Sequence, residues 1–132
     1  MVSLVALISS GKGTWGGVLS LINSNKWDKI YLVCDEFSYN NFNIELNNVL
    51  KVKINENEVD KSLRILSKFF KEQIKDLEVG LNLLSGSGME HMIVTSSLLK
   101  AGLGIRFIYF DKGDLKEFEI LEGNFEEDDL FF

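Results

Sequence analysis

Two short runs hold the residue types best suited to chemistry: Ser9-Ser10-Gly11-Lys12-Gly13-Thr14 and Ser85-Gly86-Ser87-Gly88. Each follows an apolar stretch, Val2–Ile8 or Leu77–Leu84, and each precedes a helical pattern. The start of a helix leaves backbone N–H groups without intrahelical partners and carries the positive end of the helix dipole. Glycine allows a ligand close to the main chain. The hydroxyls of Ser9, Ser10, Thr14, Ser85 and Ser87 add further hydrogen-bonding groups. The chemistry this suits is recognition of phosphate or ribose. Glycine and serine also serve as plain turn formers at strand ends. Two such loops in one small domain favour a ligand site over two turns.

Specific motifs narrow this. A P-loop requires G-x-x-x-x-G-K-[ST]. Here Ala6 stands in place of the first glycine, and Lys12 is followed by Gly13. ATP hydrolysis is therefore excluded. The dinucleotide pattern G-x-G-x-x-G fits Gly11 to Gly16, after an apolar run and before a helix. Asp35 closes the next apolar run, at about the right distance for a ribose. The chain is short for a dehydrogenase, which disfavours nicotinamide binding. His91 is the single histidine and Cys34 the single cysteine, so there is no zinc set. The sequence predicts neither a metal nor a cofactor. Glu90 reads as a first-turn acid favoured by the dipole. Trp15 and Trp27 read as packing residues, with Trp15 beside the first loop.

The elements that must hold these loops follow from periodicity. Val2–Ile8, Ile30–Cys34, Val49–Ile54, Leu77–Leu84 and Ile105–Phe110 read as strands, and Val49–Ile54 alternates as an edge strand does. Helices are expected from Thr14, as N-cap, to about Asn25, from Glu56 to about Lys75, and over Met89–Ala101 before Gly102 and Gly104. A short helix around Ile44–Asn48 is the one weak element. Asp111-Lys112-Gly113-Asp114 predicts a turn into a last strand, Leu115–Leu121. Alternation of this kind gives an α/β, Rossmann-like, mostly parallel sheet with helices on both faces, closed by a C-terminal antiparallel hairpin. The expected division is a domain over 1–122 and an acidic tail over 123–132.

Bulk properties exclude several classes. The chain has 132 residues, a net charge of −6 and 26% charged residues. Its lysines are scattered, which argues against binding duplex nucleic acid. No apolar run reaches the roughly 20 residues a membrane span needs. The lone cysteine fits a reducing, cytoplasmic setting. Glu126-Glu127-Asp128-Asp129-Leu130-Phe131-Phe132 pairs acids with aromatics, so the tail is a candidate protein-docking segment, with a solvated tail as the plainer alternative.

The stretch Val79-Gly80-Leu81-Asn82-Leu83-Leu84-Ser85-Gly86-Ser87-Gly88-Met89-Glu90-His91-Met92 resembles the signature of CARF domains. In these a buried strand ends in a motif like N-x-T-G-G-T-K, a helix follows, and a further strand ends in tyrosine. Asn82 and Gly86 match, and Ser85 stands for threonine. Ser87 and Gly88 replace the second glycine and threonine, and Met89 or Glu90 lies where the family has lysine. Phe107-Ile108-Tyr109 matches the later strand, and Ser9-Ser10-Gly11 the family's other ligand loop. The resemblance implies a stand-alone sensor of cyclic oligoadenylate in a type III CRISPR system, with the ring lying across a homodimer. On that reading Ser9, Ser10, Gly11, Lys12, Gly13, Thr14, Trp15, Asn82, Ser85, Gly86, Ser87, Gly88 and His91 contact ligand. Some family members cleave the ring without metal, using a ribose 2′-hydroxyl as nucleophile, and Ser10 and Lys12 are then the catalytic candidates. The alternatives are such a ring nuclease, or a small nucleotide-binding or interaction protein unrelated to CRISPR.

Overall fold

Ser3–Ile8 forms β1, and every one of its residues is buried in a computed structural model that describes residues 2–10 and 12–118. Side chains on a strand alternate between faces, and β1 shows it. Val5 and Leu7 join one apolar cluster, while Leu4, Ala6 and Ile8 join another. A strand covered on both sides belongs in the middle of a parallel sheet.

The chain runs through a 3-10 turn, Lys12–Thr14, into α1 (Trp15–Asn23), then β2 (Ile30–Cys34), α2 (Glu36–Asn41) and β3 (Val49–Lys53). It continues through α3 (Val59–Gln73), β4 (Glu78–Asn82), α4 (Gly88–Lys100), β5 (Gly104–Asp111) and β6 (Asp114–Glu117). The six strands are ordered β3-β2-β1-β4-β5-β6. All neighbours are parallel except β5 and β6, which form the antiparallel hairpin. The α/β, Rossmann-like architecture read from the sequence is the one observed.

Helices cover both faces. Val18, Leu21 and Ile22 of α1 pack with Trp27 and Phe42 against one side. Leu66 and Phe70 of α3 and Ile93, Val94 and Leu98 of α4 pack against the other. Full burial of one such side chain is worth about 1.5–3 kcal/mol, so two continuous clusters fix which face each helix takes.

Several boundaries differ from the sequence expectation. The weak helix lies at Glu36–Asn41, not around Ile44–Asn48, because Asp35 caps it by accepting from the Ser38 N–H at 2.9 Å. The helix expected from Glu56 starts at Val59, since Asn55 folds the preceding residues into a turn by accepting the Asn57 N–H. The β4 strand stops at Asn82, short of Leu84. There the Asn82 amide donates to the Ile108 carbonyl and its oxygen accepts the Leu84 N–H, turning the chain off the sheet. The hairpin turn is as expected: Lys112 and Gly113 both have positive φ, 52° and 84°, the pair of left-handed residues a tight two-residue hairpin needs. The strand expected to Leu121 is β6 as far as Glu117, and its last residues and the acidic tail lie outside the described residues. No helix among the described residues is long and apolar enough to cross a membrane.

Candidate functional site

Strand order decides where the loops go. After β1 the chain moves outward to β2 and β3, then crosses back to place β4 on the other side of β1. The loops leaving β1 and β4 therefore diverge to opposite faces of the sheet, and a crevice opens between them at the carboxyl ends of the strands. The register puts Ala6 beside Asn82, so the two loops start at nearly the same height.

The loops touch. The Ser9 N–H donates to Ser85 Oγ at 3.1 Å, a buried bond. The Ser9 hydroxyl donates to Glu90 Oε1 at 2.8 Å. Glu90 lies in the first turn of α4 and is only 3% exposed. The same Oε1 accepts the Ser87 N–H at 2.8 Å, while Ser87 Oγ accepts the Glu90 N–H at 3.1 Å. This reciprocal pair closes the start of α4. Glu56, from the loop before α3, accepts a hydrogen bond from the Ser87 hydroxyl.

Ser10 is exposed and faces Asp35 at the end of β2. Its N–H donates to Asp35 Oδ2 at 2.8 Å, and its hydroxyl bonds the same oxygen. Partial burial pushes the Asp35 carboxyl up, but hydrogen bonds from Ser10 and Ser38 more than offset this and hold it below its ordinary value. Cys34, the residue before, is buried, and its thiol is pushed up to about 12. A neutral thiol of this kind is inert.

Other residues shape the loops. Gly86 has φ +107°, and a Cβ there would lie 2.9 Å from the Leu7 side chain and 3.3 Å from the His91 ring. His91 Nε2 is 2.9 Å from the Ser85 carbonyl, so the ring braces the turn. The Trp15 indole donates to the Ser9 carbonyl at 2.8 Å and packs edge-on against Phe42. Thr14 stands at the N-cap of α1 but makes no side-chain capping bond, in contrast to Ser87 on α4. Gly13 and Gly88 have no atom within 4 Å of a Cβ position, so both leave open space. Lys12 begins the 3-10 turn.

Of the expected residues, Ser9 meets Ser85 directly and Ser87 through Glu90, Trp15 and His91 brace the two loops, and Asn82 is engaged in ending β4, while Gly11 and the Lys12 side chain lie outside what the structure describes. Three carboxylates join them: Asp35, Glu56 and Glu90. Asp35 carried a sequence signal, as the acid closing the second strand. Glu90 carried one too, as the acid three residues after an N-cap serine. Glu56 had none, since its place depends on how the loop before α3 folds.

An open groove of about 550 Å³ runs on from Asp35 and Glu90 toward the start of α3. Glu36, Glu56 and Glu58 line it, and Lys53 and Lys61 pair with Glu36 and Glu58 at 3.8 and 3.7 Å. This side of the crevice is acidic. A phosphate about 4 Å from one carboxylate meets roughly 4 kcal/mol of repulsion at an effective dielectric constant of about 20. A helix N-terminus returns about 0.3–1 kcal/mol, up to about 2 when partly buried. An anionic group is therefore disfavoured along this groove. Among the described residues no cluster of three or more histidine, cysteine or carboxylate side chains could hold a metal ion.

No family model and no curated protein matches the sequence. Solved structures do match in shape. Can2 from Sulfobacillus thermosulfidooxidans, solved in complex with cyclic tetra-adenylate, superposes with a TM-score of 0.58 at 11% identity. The match covers 86% of this chain and 36% of Can2, so the chain spans about a third of that protein. The chain has the fold of part of Can2. At this identity the likeness to Can2 concerns the path of the backbone, and Can2's ligand is a property of Can2.

Proposed function

We propose that this chain is a nucleotide-sensing domain that binds a cyclic oligoadenylate, as CARF domains do, with the ring held across a homodimer. The observation that carries the reading is the joined pair of loops. The reversal of strand order makes β1 and β4 neighbours, so the loops that leave them start side by side, and the Ser9–Ser85 bond ties them. The fold shared with a protein solved with cyclic tetra-adenylate supports it. A symmetric ring needs matching contacts on both sides, which a two-fold dimer supplies. The setting would be a type III CRISPR antiviral response in the cytoplasm.

Isothermal calorimetry with cyclic tetra-adenylate and cyclic hexa-adenylate tests this. Saturable heat with one of them is expected, with a stoichiometry of one ring per two chains. No heat and no thermal shift with either ring removes the reading.

Cleavage of the ring is the second possibility, and Ser10 favours it as an exposed hydroxyl oriented by a carboxylate. In that chemistry a ribose 2′-hydroxyl of the ligand attacks the adjacent phosphorus and the 5′-oxygen leaves. The protein's part is orientation and charge stabilisation; Ser10 is the candidate for orienting the 2′-hydroxyl and Lys12 for stabilising the charge. Chromatography of the ring after prolonged incubation with excess protein decides it: linear products support cleavage, and an intact ring leaves a sensor only.

A further inference from the structure

Both polar groups of Ser10 face one oxygen. Its N–H and its hydroxyl meet Asp35 Oδ2. An ionised carboxylate accepts hydrogen bonds and gives none, so the hydroxyl must be the donor. A serine hydroxyl has one proton and two lone pairs. With the proton committed to Asp35, Ser10 Oγ offers only acceptor capacity to a ligand. The neighbouring hydroxyl is committed in the same sense, since Ser9 donates to Glu90 Oε1, an oxygen that also accepts the Ser87 N–H. Asp35 is itself engaged: Oδ2 takes both Ser10 groups and Oδ1 takes the Ser38 N–H. It has little left to offer a ligand directly.

We propose that Asp35 acts as a positioning residue that makes Ser10 Oγ a hydrogen-bond acceptor, so that this edge of the crevice reads ribose hydroxyls and turns phosphate oxygens away. The inference rests on the nucleotide reading above. A 3′–5′-linked ring of adenylates carries one free 2′-hydroxyl per nucleotide, which is the donor such an edge needs. A phosphate oxygen brings lone pairs only, and would meet the lone pairs of Ser10 backed by a carboxylate. The edge therefore separates ribo- from deoxyribo-ligands by what it accepts.

The test compares the wild-type protein with Asp35→Asn and Ser10→Ala, by calorimetry, against cyclic tetra-adenylate and its 2′-deoxy counterpart. The wild type is expected to prefer the ribose ring by on the order of tenfold, the usual loss when one hydrogen bond is left unmade. Asp35→Asn keeps an oxygen that can accept the Ser10 N–H and hydroxyl but removes the charge that polarises them, so the preference should weaken while the deoxy ring binds about as before. Ser10→Ala, at an exposed position, should lose the same preference without disturbing the fold, and the double variant should lose no more. Equal affinity of the wild type for both rings overturns the proposal and leaves the sensor reading standing. Binding of neither ring removes the sensor reading. In that event the amide signals of Ser9 and Ser10 are followed by NMR with adenosine, 2′-deoxyadenosine and inorganic phosphate. A response to adenosine alone upholds the assigned polarity. A response to phosphate, or to none of the three, overturns it.

Discussion

At the scale of single residues, the crevice is built by committed hydrogen bonds more than by free ones. Asp35 joins the end of β2 to the loop after β1 and caps α2, with Ser10 and Ser38 as donors. Its carboxyl is held below the ordinary value, so its contribution to stability follows by linkage. The unfolded chain takes up a proton at about pH 3.9, while the folded chain takes it up lower. The stability it adds is complete above that ordinary value and is lost as pH falls through the lowered one. The difference in unfolding free energy between wild type and Asp35→Asn, measured in urea, should hold steady down to about pH 5 and shrink as pH falls below about 4. A difference that grows on acidification would contradict this. Asp35 was legible in the sequence as an acid at the right distance from a glycine loop. Its partners were not, because nothing in the one-dimensional pattern says that Ser10 and Ser38 turn inward to the same side chain.

At the scale of elements, the two loops differ in how they meet their helices. The start of α4 is closed by the reciprocal Ser87–Glu90 pair, whereas Thr14 gives α1 no side-chain cap. The turn before α4 depends on Gly86, whose positive φ and close neighbours leave no room for a side chain. Gly86→Ala should cost about 1–3 kcal/mol, the scale of forced backbone strain. Gly88→Ala, in open space at the first position of the helix, should be neutral or stabilise by up to about 1 kcal/mol. Thermal denaturation of the two variants separates them, and equal effects would mean that Gly86 is a simple turn former. The strands and long helices were legible because Ile30–Cys34 and the stripe of α3 state their period plainly. The short helix was not, because the Asn-rich segment after Asp35 has no period and its position follows from one cap.

At the scale of the whole molecule, the reversal of strand order turns two ordinary-looking loops into one crevice. The alternation of strands and helices foretold a parallel sheet, and both loops were legible as site candidates. Which strands would be neighbours was not written in any local pattern, since pairing of β1 with β4 joins residues about 76 apart in sequence. The proposal that a symmetric ring is held across two copies predicts self-association. Sedimentation velocity should show a dimer in the presence of cyclic tetra-adenylate, and a monomer that stays monomeric in saturating ligand would confine recognition to a single chain. The carboxylate-lined groove, with the net charge of −6, adds that duplex DNA should leave the protein's electrophoretic mobility unchanged.

The central position of β1 reaches further than packing. Strands lie on both sides of it and apolar clusters on both faces, so its amides should be among the last to exchange with deuterium, opening only with the entire domain. Ser9 is the next residue after this strand, and its own N–H is already held by Ser85. The reading edge is thus anchored to the slowest-opening part of the protein. On the proposed function a nucleotide would meet an edge already ordered, and association there should proceed without the slow conformational phase of a site that folds around its guest.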